Sequence, residues 1–106
     1  MTLEEILKEI HYLKNYTGYP CLVSCIKLVK EDEMRLCAVR KRVYVPVAEK
    51  YGLKLQNMER NLRTVRDAFQ KHGGAEFLKR QLGGSVDHGL YPSEMIEALA
   101  ECISGE

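Results

Sequence analysis

The sequence predicts an all-α domain of six helices containing a helix-turn-helix, and three observations carry that prediction. Apolar residues recur three and four positions apart in one stretch after another. β-branched residues never gather into the alternating runs of a strand, and glycines and prolines punctuate the chain where helices would end or begin. At 106 residues, the span 1–106 is expected to be one domain, able to bury a single core and too short for two.

The capping-box pattern Thr2-Leu3-Glu4-Glu5 opens the first helix, because threonine hydroxyl and glutamate carboxylate each accept from the other residue's free amide. That helix places Leu3, Ile6, Leu7, Ile10 and Leu13 on one side and stops at Tyr16-Thr17-Gly18. A second runs from about Tyr19 to Lys30, its stripe Leu22, Cys25, Ile26 and Val29 falling at i, i+3, i+4 and i+7. Glu31-Asp32-Glu33 makes a solvated turn. The third helical region covers about Arg35 to Tyr51, with Leu36, Val39, Val43, Tyr44, Val47, Ala48 and Tyr51 inward, and Pro46 predicts a kink or fresh start within it.

Gly52 follows at the position where a left-handed residue closes a helix. The next helix, about Gln56 to Lys71, has the strongest pattern in the chain. With about 100° per residue, Met58, Leu62, Val65 and Phe69 share a narrow arc, and Gln56, Arg60, Arg63, Thr64 and Lys71 lie opposite. Gly73-Gly74 ends it. A short helix from Ala75 to Leu82 turns Phe77, Leu78 and Leu82 inward and stops at Gly83-Gly84, and a loop spans Ser85 to Tyr91. The last helix begins near Pro92-Ser93, where proline at the first helical position is free of cost, and buries Met95, Ile96, Leu99, Cys102 and Ile103.

Charge is unevenly divided along this series. Residues 40 to 66 hold eight Lys/Arg against two acids, a net +6, leaving eight basic and thirteen acidic residues elsewhere, a net −5. A polyanion would therefore meet one region of a chain whose total is close to neutral. The helix-turn-helix, about 40–71, occupies that region.

Other function classes find little support. No apolar stretch approaches the roughly 20 residues that span a bilayer, and the N-terminus lacks the basic start and apolar centre of a signal peptide, so no membrane role and a cytoplasmic location are expected. Cys21, Cys25, Cys37 and Cys102 form no Cys-x-x-Cys pair and read as buried small hydrophobes in a reducing compartment. His11, His72 and His88 are scattered, and no constellation has the spacing of a nucleophile or metal site. The expectation is a protein that is not an enzyme and carries neither cofactor nor metal.

The outer face of the 56–71 helix supplies donors and acceptors matched to base edges. Arginine pairs two donors with guanine, Asn or Gln matches adenine, and glutamate accepts from cytosine N4. Gln56, Asn57, Glu59, Arg60, Arg63 and Thr64 are the candidate base contacts, and Lys41, Arg42, Lys50, Lys54 and Arg66 the candidate phosphate contacts. Glu59 and Arg63 also stand at i, i+4, the spacing of a helix-stabilising surface pair.

From about Ile10 to Ile103 the chain resembles the C-terminal effector domain of the sporulation master regulator, the stage zero sporulation protein A family of endospore-forming bacteria. The resemblance starts at Gly18-Tyr19 and continues through Val43-Tyr44-Val45-Pro46-Val47-Ala48-Glu49-Lys50-Tyr51, similar to the family's Leu-Tyr-Pro-x-Ile-Ala-Lys-Lys-Phe. It is sharpest at Met58-Glu59-Arg60-Asn61-Leu62-Arg63, similar to Val-Glu-Arg-x-Ile-Arg. Leu82-Gly83 and Ser93-Glu94-Met95-Ile96 match its Phe-Gly and Ser-Glu-Phe-Ile elements.

That resemblance implies a six-helix DNA-binding domain whose recognition helix reads a short element, often with two domains in tandem; it places Glu59 and Arg60 among the base-contacting residues, and Arg63 matches the next arginine of the family's pattern. Asn57 stands where the family usually has an arginine, and Pro92 where it has Asn. Family members carry an N-terminal receiver domain, for which 106 residues beginning at a methionine leave no room, so a stand-alone paralogue or an excised domain is expected.

The function expected is a sequence-specific double-stranded DNA-binding transcription regulator without a receiver domain. The alternative is a protein-interaction module of the same fold that modulates RNA polymerase, a sigma factor or a full-length relative without reading DNA. A homodimer on DNA is a further partner under the first reading.

Overall fold

The computed structural model describes residues 1–83 and 90–103. Among these, six α-helices follow in order: α1 (Leu3–Glu9), α2 (Tyr19–Glu31), α3 (Val45–Lys50), α4 (Leu55–Lys71), α5 (Gly74–Leu82) and α6 (Pro92–Glu101). Most of the loop expected over 85–91, with His88 and Gly84, lies outside the described residues.

The capping box forms as the sequence predicts. Thr2 Oγ1 accepts from the Glu5 amide at 3.2 Å and Glu5 Oε1 accepts from the Thr2 amide at 3.1 Å, which holds the Glu5 carboxyl below its usual range. α1 ends sooner than the apolar spacing suggested, and a 3₁₀ turn, His11–Leu13, carries Leu13 into the core. α2, α4 and α6 make the centre of the molecule, packing against one another through Leu22, Ile26, Met58, Leu62, Val65, Phe69, Met95, Ile96 and Leu99, each fully buried.

The expected helix over 35–51 is three segments. A 3₁₀ stretch, Glu33–Ala38, is capped by Asp32 Oδ1, which accepts from the Met34 amide at 3.0 Å. A π-helical turn, Arg40–Tyr44, follows, with the Val45 amide bonded to the Arg40 carbonyl, and then comes α3. Pro46 sits in the first turn of α3, where its missing N–H leaves the Arg42 carbonyl, four residues back, without its helical donor. Arg35 Nη1 donates to that carbonyl at 2.7 Å.

Two residues expected inward face solvent. Tyr51 is 40% exposed because it caps α3 and turns its hydroxyl back to Ser24 Oγ on α2, 2.9 Å away. Leu82, 42% exposed, is the last residue of α5, past the turn that Phe77 and Leu78 bury. Gly74 is also not a stop: Gly73, at φ +87, ends α4, and the buried Gly74 begins α5.

Candidate nucleic-acid interface

α3, a tight turn and α4 have the order expected of a helix-turn-helix, and the joint between them is built from backbone. Gly52, at φ +65, supplies the left-handed residue; its amide bonds to the Glu49 carbonyl at 3.2 Å, and the Leu53 amide reaches the Ala48 carbonyl at 2.8 Å. These two bonds are a Schellman motif, which satisfies carbonyls the helix end leaves open. α4 then starts at Leu55, after Lys54, with no side-chain cap and no acid in its first turn.

The inward face of α4 is set by Met58, Leu62, Val65 and Phe69, all fully buried. Fixing that face fixes the other. Gln56, Asn57, Arg60, Arg63 and Thr64 are exposed. Thr64 Oγ1 donates to the Arg60 carbonyl at 3.1 Å, a local bond within the helix. The side chains of Gln56, Asn57, Arg60 and Arg63 make no hydrogen bond or ion pair among the described residues.

Glu59 differs from these neighbours. It is half-buried, and Arg40 Nε on the π-helical turn donates to its Oε1 at 3.0 Å. The i, i+4 pairing with Arg63 that the spacing allowed is replaced by this longer-range one. Arg40 was not among the candidates drawn from the sequence, because nothing in residue spacing shows that a residue 19 positions earlier meets Glu59.

The candidate phosphate contacts are dispersed. Lys41 and Lys54 are exposed. Arg42 is exposed but held locally, donating to Asp32 Oδ2 and to the Met34 carbonyl, each at 3.2 Å. Lys50 lies beside α2, its Nζ 3.5 Å from Ser24 Oγ and 5.4 Å from the centre of the Tyr51 ring. Arg66 is half-buried and spent on the molecule itself, bonding to Asp67 at 2.8 Å and to the Leu90 carbonyl at 3.2 Å.

Between the π-helical turn, α4 and the start of α6 lies a cleft of about 440 Å³, lined by Val39, Arg40, Tyr44, Glu59, Leu62, Arg63, Arg66, Tyr91, Pro92 and Ser93. Burial pushes the Tyr44 hydroxyl up to about 12, with Cys25 and the nearby Glu59 carboxylate adding to the shift. Of the cysteines, Cys21, Cys25 and Cys102 are buried free thiols, as the sequence suggested, and Cys37 is exposed on the 3₁₀ stretch. Among the described residues, no group of three His, Cys, Asp or Glu side chains gathers where it could hold a metal ion, and no helix is long and apolar enough to cross a membrane.

No solved structure matches the chain. A family model described as "Sporulation initiation factor Spo0A C terminal" matches residues 3–103, from the first residue of α1 to just beyond the end of α6. With the helix-turn-helix order in place and the outer face of α4 open, the chain belongs to the Spo0A C-terminal family, the DNA-binding effector domain of a sporulation transcription regulator.

Proposed function

We propose that this chain binds double-stranded DNA sequence-specifically, setting α4 into the major groove and regulating transcription from the sites it selects. The observation that carries the reading is the division of α4 into a fully buried apolar face and an outer face on which Gln56, Asn57, Arg60 and Arg63 are exposed and unpaired among the described residues. Those side chains need no internal bond broken before they meet base edges. They also occupy the N-terminal half of the helix, the part that reaches bases in helix-turn-helix proteins.

The start of α4 supports the same docking. Its first-turn amides have no side-chain cap and no neighbouring acid, so a backbone phosphate can take the place of a cap. Lys41 and Lys54, both exposed, add the sequence-independent attraction that brings a duplex to this face. In this reading Arg60 and Arg63 read guanines, Gln56 and Asn57 read adenines or nearby polar edges, and Glu59 accepts from a cytosine.

Selection of bound duplexes from a random pool tests it. The purified chain is expected to enrich one short element, and Arg60→Ala to relax the preference at one position of that element. A pool that stays random after repeated rounds would overturn the proposal. Retention of RNA polymerase or a sigma factor by a chain that enriches no duplex would move the assignment to the protein-interaction alternative.

A further inference from the structure

Arg40 stands outside α4, on the π-helical turn, and its side chain hydrogen-bonds to Glu59. The two side chains are unequally placed: Glu59 is 25% exposed, whereas Arg40 is 67% exposed and reaches across from the neighbouring element. Both line the cleft beside the outer face of α4.

A carboxylate that enters a major groove runs between two rows of phosphates, and like charges repel more strongly where water is displaced. A glutamate meant to accept from a base therefore needs a counter-charge that travels with it. It also needs its rotamer held, because a free glutamate side chain loses rotational freedom on docking. The Arg40 guanidinium supplies both. One N–H bonds to Oε1, while Oε2 has no hydrogen-bond partner among the described residues and retains its capacity to accept.

We propose that Arg40 is a specificity-determining positioning residue: by neutralising and orienting Glu59, it makes that carboxylate a reader of cytosine. This rests on the assignment of α4 as the DNA-reading helix. A surface ion pair serving only the fold would have little effect on stability and none on which base is preferred.

Sequence-resolved binding to a duplex library separates these roles, using the full chain and the variants Arg40→Ala, Arg40→Gln, Glu59→Gln and the double variant R40A/E59Q. Glu59→Gln marks the position that Glu59 reads. At that position Arg40→Ala and Arg40→Gln are expected to lower the preference for cytosine about tenfold, the size of one good base contact, while other positions keep theirs. In the Glu59→Gln background, Arg40→Ala should change that position no further.

If Arg40→Ala weakens all sequences alike, Arg40 is a phosphate contact and the proposal fails. Unchanged cytosine preference in both Arg40 variants, or a Glu59→Gln variant that alters no position, overturns it equally. A parent chain that enriches no element overturns the DNA reading itself, which the parent arm reports separately.

Discussion

Gly18 and Asn61 meet with no space for a side chain between them: a Cβ on Gly18 would stand 2.5 Å from the Asn61 carbonyl oxygen and 2.8 Å from Val65 Cγ2. The contact seats the start of α2 directly on the backbone of α4. Gly18 has φ −78, a conformation any residue adopts, so the need for glycine there is steric. Gly18→Ala is expected to force the two helices apart and cost about 1–3 kcal/mol. A urea unfolding curve measures it, and a parent-like midpoint would show that α2 yields without strain.

Leu62 and Arg63 are neighbours on α4 with opposite fates, one fully buried and the other exposed. Leu62→Ala is expected to lower stability by about 2–5 kcal/mol, since the fixed helices around it cannot close the space. Arg63→Ala should leave stability within about 0.5 kcal/mol of the parent, yet lose about 1–3 kcal/mol of specific duplex binding. Thermal unfolding and fluorescence anisotropy on the two variants give both halves of the comparison.

Lys54 precedes α4 and Lys41 lies on the π-helical turn, both exposed. Replacing either by alanine is expected to weaken binding to all duplexes alike and to reduce the slope of log affinity against log salt by about 0.9. A salt titration on specific and random duplexes checks this. Arg66→Ala, by contrast, should act on stability first, because its guanidinium is already bonded to Asp67 and Leu90.

Burial pushes the Cys25 thiol up to about 12 from an ordinary 9.0, with the neighbouring Cys21 adding to the shift. The folded chain thus keeps a proton that the unfolded chain gives up. Its stabilising effect is complete below pH 9 and is lost as pH rises from 9 towards 12, at up to about 1.4 kcal/mol per pH unit. Cys25→Ala is expected to flatten the decline of unfolding free energy between pH 8 and 10.5. Parallel slopes for parent and variant would show that Cys25 does not titrate on unfolding there.

The helices with long, regular stripes were legible in the sequence. α2, α4 and α6 bury the residues their spacing predicts, because a continuous 3.6-residue period needs only one face to be covered. The segment before α3 was not legible. A 3₁₀ stretch and a π-helical turn advance the chain by different angles, so one period cannot run through 33–44. At the candidate interface, residue types and the α4 face identified Gln56, Asn57, Arg60 and Arg63 as outward. They could not show that Glu59 is half-buried under Arg40, or that Arg66 is tied to the Leu90 carbonyl, because both depend on which elements meet in space.

The Schellman joint at Gly52 also bears on the proposed docking to a curved or kinked duplex. Leu53 is tethered to Ala48, and the apolar side of α4 is packed into the core, so α3 and α4 are joined by backbone bonds and buried side chains together. Under the proposed docking of α4, a mismatch of shape is expected to be taken up by the nucleic acid, favouring pliable base steps flanking the target even where no side chain touches them.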